Sequence, residues 1–74
     1  MVEAVTLREI QQIFEVTDRL GIHREQIVIP LVPRHPGRVR RIPTGKIEIV
    51  VESEGRFEDW VGGLEAELRR VGVS

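Results

Sequence analysis

Arg34, Arg38, Arg40, Arg41 and Lys46 fall within one stretch, RHPGRVRRIPTGK at 34–46, that contains no carboxylate. A guanidinium fork pairs two-pronged with phosphate or carboxylate, so such a stretch suits an anionic partner: a nucleic acid, a nucleotide or an acidic protein surface. The alternative is that these cations pair with the acidic remainder of the chain or with a neighbouring subunit. That remainder holds six of the eleven cations against all twelve carboxylates. The net charge of −1 therefore describes an acidic body bearing one basic element. A dedicated nucleic-acid binder is usually positive overall. No aromatic residue lies in the segment to stack a base, and PTGK lacks the glycine spacing of a phosphate-cradling loop.

Other residues with chemical potential are sparse. As a general acid or base His35 needs a hydrogen-bonded partner and a cleft, and the sequence displays neither. Glu48 and Glu52 share a strand parity and read either as an acid pair or as a solvated strand face. His23, just beyond a first helix, is expected to meet that helix's last carbonyls. Two separated histidines and no cysteine exclude disulfides and give no zinc-ligand pattern. No catalytic, cofactor-binding or metal-ligating residue is assigned, and an enzyme is not expected. The candidate partner contacts are Arg34, Arg38, Arg40, Arg41 and Lys46.

Two helices and two or three strands must position that basic segment. Thr6-Leu7-Arg8-Glu9 has the form of a capping box, which predicts a helix from about 7 to 20, stopped by Gly21. Its apolar arc covers about half the circumference. QIVIPLV at 26–32 reads as a strand placed at an edge or bent by Pro30. KIEIVVES at 46–53 alternates as a half-buried strand does, with Ile47, Ile49 and Val51 on one face. A second helix is expected from about 56 to 71, capped by Ser53 or Gly55, with Phe57, Trp60, Val61, Leu64, Leu68 and Val71 on its apolar stripe. Trp60 reads as core. Gly62 and Gly63 lie off that stripe and mark either a close backbone approach or simple tolerance. Residues 35–38 suit a type II turn and 42–45 a type I turn. Residues 38–42 between them are either a short strand or part of one projecting loop.

The expected fold is α+β: one domain over residues 1–74, with two helices on one face of a small antiparallel sheet in the order α-β-(β)-β-α. This is ferredoxin-like or double-stranded-RNA-binding-like. A domain of this size needs support, and the wide apolar arc together with Val28, Val32 and Val50 on the second sheet face predicts a homo-oligomer. No stretch has the length and apolarity of a membrane span, and the N-terminus lacks the features of a signal peptide, so no membrane partner and a cytoplasmic location are expected.

A strand at 2–5, a helix ending in Leu20-Gly21-Ile22, a second strand, a loop and then Lys46-Ile47-Glu48-Ile49-Val50-Val51 before an amphipathic helix resemble PII-type signal-transduction proteins. More loosely they resemble ACT-type regulatory domains. The resemblance implies a non-enzymatic regulatory or adaptor module with trimer-like self-association and a protruding partner loop at 33–45. The α-β-β-β-α order with RHPGRVRRIP is also similar to small double-stranded-RNA-binding-like domains, including RNA-cleaving toxins, in which His35 would be the working histidine. A structural accessory subunit of a larger complex is a third possibility.

Overall fold

The computed structural model describes residues 4–71. Its first helix, α1 (Leu7–Arg19), begins with the expected reciprocal cap. The Thr6 Oγ1 accepts from the Glu9 N–H at 3.2 Å, and Glu9 Oε1 accepts from the Thr6 N–H at 2.9 Å. At the other end Gly21 takes φ +75°. The Ile22 N–H reaches back to the Thr17 carbonyl and the Gly21 N–H to that of Asp18, each at 3.0 Å. That pair of bonds is a Schellman motif, and Ile22 is buried as its apolar clasp. Part of the wide apolar arc finds cover within the chain. Arg24 lies 4.7 Å from the Phe14 ring centroid and bonds Asp18 through Nη2 at 2.8 Å. The side-chain contact at this helix end is thus made by Arg24 to the Asp18 carboxylate; no bond from the His23 ring to the last carbonyls is found among the described residues. Leu7 remains 70% exposed.

A single 3-10 turn, Arg24–Gln26, leads into β1 (Ile27–Val28). The expected strand at 26–32 is cut short. Ladder pairing lapses after Val28 and resumes at one bridge, Arg34 with Glu52. Between Val28↔Glu48 and Arg34↔Glu52 the first strand advances six residues and its partner four, so two residues bulge out. Pro30 and Pro33 have no N–H to give to a ladder, which accounts for the lapse there. Leu31 pairs elsewhere: its carbonyl accepts from the Val5 N–H at 2.7 Å. Of the strand expected at 2–5, Ala4 and Val5 are described and are not in a strand; residues 2 and 3 lie outside the described range.

Residues 38–41 do form a strand, β2 (Arg38–Arg41), joined by a tight hairpin to β3 (Ile47–Val50). The turn at 42–45 is closed by Gly45 N–H to Ile42 carbonyl, and the Ile42 N–H bonds the Lys46 carbonyl, both at 2.9 Å. Gly45 at φ +90° supplies the left-handed position such a three-residue loop requires. Residues 35–36 form a bend with a cis His35–Pro36 bond in place of the expected type II turn.

The fold is α+β, with helices packed against a three-stranded sheet of order β1-β3-β2. The sheet is mixed where a wholly antiparallel one was expected, because β1 runs parallel to β3 and β2 antiparallel to it. The reason lies in the connection. After Arg34 the chain does not fold back beside β1; it passes over the end of β3 and returns on the far side as β2. That crossing, at residues 35–37, is where the basic segment starts.

The second helix is two: α2 (Phe57–Gly62) and α3 (Leu64–Arg70), parted at Gly63. The cap of α2 is Arg56, without a side-chain bond, in place of Ser53 or Gly55. A Cβ added at Gly62 would meet nothing within 4 Å, and one at Gly63 only the Trp60 carbonyl at 3.8 Å. No backbone packs closely there, so the break follows from the low helix propensity of two consecutive glycines. Ile13 and Val16 of α1, Leu64 and Leu68 of α3, Val39, Ile47 and Ile49 of the sheet, and Val51 just past β3 belong to one core. Trp60 packs against it half-buried, its ring 5.8 Å from that of Phe57. Val50, expected to show on the second sheet face, is instead buried, outside that cluster. No described helix is long and apolar enough to cross a membrane.

Candidate functional site

Strand parity sorts the basic segment. In β2, Val39 is buried in the core while Arg38 and Arg40 are exposed on the other face. Arg38 is opposite Val50 and Arg40 opposite Glu48. The second pair is an ion pair, with Arg40 Nε donating to Glu48 Oε1 at 2.7 Å. Arg41, at the core-parity end of the strand, is exposed and directs Nη1 to the Gly45 carbonyl at 3.4 Å. Lys46 follows the hairpin turn and is exposed. Arg34 is held by its backbone, its N–H to the Val51 carbonyl at 2.9 Å and its carbonyl from the Ser53 N–H at 3.0 Å, with its side chain exposed. Among the described residues, Arg40 is the one cation of the five with a carboxylate within 4 Å. The five do not converge on a pocket. Arg38, Arg40 and Arg41 lie on β2 and Lys46 just before β3, while Arg34 lies across β3 on the β1 side.

The start of the segment is built differently. Glu52, with a side chain 17% exposed, gathers three donors at the crossing. The Gly37 N–H donates to Oε1 at 3.0 Å, the Glu54 N–H to Oε2 at 3.2 Å, and His35 Nδ1 lies 2.6 Å from Oε2. The Glu54 carboxylate stands 3.7 Å from the same imidazole nitrogen. These bonds stabilise the ionised carboxylate. The Gly37 N–H foremost, then His35, holds Glu52 down at about 2. The hydrogen bond that His35 donates to Glu52, and then the charges of Glu52 and Glu54, raise the His35 pKa above its ordinary value of 6.5. The chain passes so close that a Cβ on Gly37 would lie 2.6 Å from the Glu52 backbone nitrogen and 2.9 Å from Trp60 Nε1. His35, Glu52, Glu54, Asp59 and Trp60 line a shallow depression of about 440 Å³.

Glu48 and Glu52 are therefore neither an acid pair nor a solvated face, since Glu48 pairs with Arg40 and Glu52 with His35 and two backbone N–H groups. His35 does have the partner that the sequence did not display. Glu52 was singled out, but its partnership with His35 and Gly37 was missed because it depends on the parallel register that sets Glu52 beside Arg34, and a broken β1 hides that register. The one local signal was Gly37, two residues past His35 and requiring a close neighbour. The described residues contain no group of three or more His, Cys, Asp or Glu placed to hold a metal ion. Comparison of the chain with protein-family profiles, curated proteins and solved structures found no match.

Proposed function

We propose that this chain is a non-enzymatic, homo-oligomeric regulatory or adaptor module, PII-like in outline and cytoplasmic, whose basic hairpin engages an anionic partner. The observation that carries it is the set of exposed cations, Arg34, Arg38, Arg41 and Lys46, that no described carboxylate approaches within 4 Å. Cations kept solely for intramolecular pairing would be expected to follow Arg40 onto a carboxylate. Self-association is supported by Leu7, Leu31 and Val32, which stay 70%, 58% and 49% exposed. The backbone bond from Val5 to Leu31 brings the stretch around Leu31 close to the start of α1, so these side chains need not be isolated from one another.

The test has two arms. Sedimentation at high micromolar concentration should return an oligomer; a monomer would remove that half of the proposal. Titration with polyglutamate at two salt concentrations should show salt-sensitive binding that is lost when Arg34, Arg38 and Lys46 are together replaced by alanine. No binding at low salt would remove the other half.

The RNA-cleaving alternative keeps one specific support, the His35–Glu52 pair, because a carboxylate on Nδ1 is how an imidazole is commonly oriented for proton transfer. If it holds, His35→Ala abolishes RNA cleavage by the purified protein; absence of any cleavage by the parent protein discards it.

A further inference from the structure

β2 is an edge strand, with β3 on one side and no described strand on the other. The hairpin closure fixes which backbone groups face outward. Ile42 and Lys46 are bonded across the turn, so in an antiparallel ladder the next bonded pairs are two and four residues along. These are Arg40↔Glu48 and Arg38↔Val50. The N–H and C=O groups of Val39 and Arg41 therefore point away from β3. Neither residue makes a backbone bond elsewhere among the described residues.

We infer that this edge takes up an extended acidic peptide as a further strand, with its alternate carboxylates on the face of Arg38 and one of them opposite Arg38, Arg40 being already paired with Glu48. The inference rests on the anion-binding reading of the hairpin and specifies its partner. Open edges invite pairing with another chain; Arg41 is exposed, while Val39, backbone included, is 5% exposed and has to be uncovered for the pairing to extend to it. Pairing of β2 with a second β2 would bring three arginines of each copy together, so like charge opposes self-addition. An acidic strand reverses that term. Residues on one face of a strand recur about every 7 Å, which matches the Arg38–Arg40 spacing by construction. The intervening side chains would lie on the parity of buried Val39, which favours apolar residues there. Backbone pairing also favours a peptide over a nucleic acid, which gains nothing from the outward amides and finds no aromatic platform in the segment.

The probe is a blocked heptapeptide of alternating glutamate and valine, titrated into the full-length ¹⁵N-labelled chain. Two further copies carry backbone N-methyl groups on alternate residues, one on the glutamates and one on the valines. All three have the same charge, and only one phase of methylation blocks the amides that would face β2. The parent peptide should bind and slow amide exchange at Val39 and Arg41. One methylated copy should bind roughly tenfold or more weaker than the other, as the loss of two or three hydrogen bonds implies. Arg38→Glu should weaken the parent peptide. Equal binding by the two methylated copies overturns edge addition. So does failure of the heptapeptide where polyglutamate binds, and in both cases the basic-hairpin reading stands. Failure of heptapeptide and polyglutamate alike removes that reading as well. Tighter binding of a single-stranded oligonucleotide than of the heptapeptide at equal salt overturns the choice of partner.

Discussion

The two ends of the segment at 34–46 share a composition and differ in what surrounds them. At the crossing, His35 and Gly37 are tied to Glu52, whose carboxylate also holds the Glu54 N–H. Along the hairpin, Arg38 and Lys46 project from a regular backbone and meet no described carboxylate within 4 Å, and Arg34 does the same at the bridge. Positive charge near an acidic body is thus not self-neutralising. Where the fold needs a contact to carry the chain over β3, a carboxylate is present. Where the backbone is already held by ladder bonds, the cations other than Arg40 are left over.

The largest effect should come from filling the crossing. In Gly37→Ala the new methyl would sit 2.6 Å from the Glu52 nitrogen and 2.8 Å from its Cα. Backbone has to move, and such overpacking costs about 1–3 kcal/mol, read as a lower urea midpoint. An unchanged midpoint would mean that the crossing is not a tight joint.

Glu52→Gln should change how stability depends on pH. Folding lowers the Glu52 pKa from 4.5 to about 2, so its contribution is whole above 4.5 and fades as pH falls toward 2. Folding raises the His35 pKa, so its contribution is whole below 6.5 and fades as pH rises through the elevated value. The parent protein should exceed the variant most between about pH 4.5 and 6.5, with the gap narrowing on both sides. In the variant, His35 should titrate nearer its ordinary value by NMR. A gap independent of pH would deny that the pair is ionic.

Smaller effects should separate Arg40 from Arg38. Arg40→Ala breaks the pair with Glu48 and should cost about 0.2–1 kcal/mol, as partly exposed pairs do. Arg38→Ala removes no ion pair and should stay within about 0.5 kcal/mol. Equal costs in urea unfolding would remove the distinction between engaged and free cations.

What the sequence revealed of this fold follows the range of the interactions. Both ends of α1 were readable because the Thr6–Glu9 box and the Gly21 stop act within five residues of the helix. β3 was readable from its alternation, and the 42–45 turn from Pro43 and Gly45. The sheet order was not, since β1 is broken by Pro30 and Pro33 and its parallel pairing with β3 leaves no local mark. The break at Gly63 was missed because the apolar stripe from Phe57 to Val71 continues in register across it. At the site, the basic segment stood out by composition. Its division could not be seen, because the carboxylates that engage it arrive from β3 and the residues just past it.

The most direct test of the central claim is a chemical-shift map of the ¹⁵N-labelled protein with polyglutamate at low salt. The account predicts shifts centred on Arg34, Arg38 and Lys46, reversed by added salt, with the His35–Gly37 crossing little changed. Shifts centred on α1 or α3, or none at all, would contradict it.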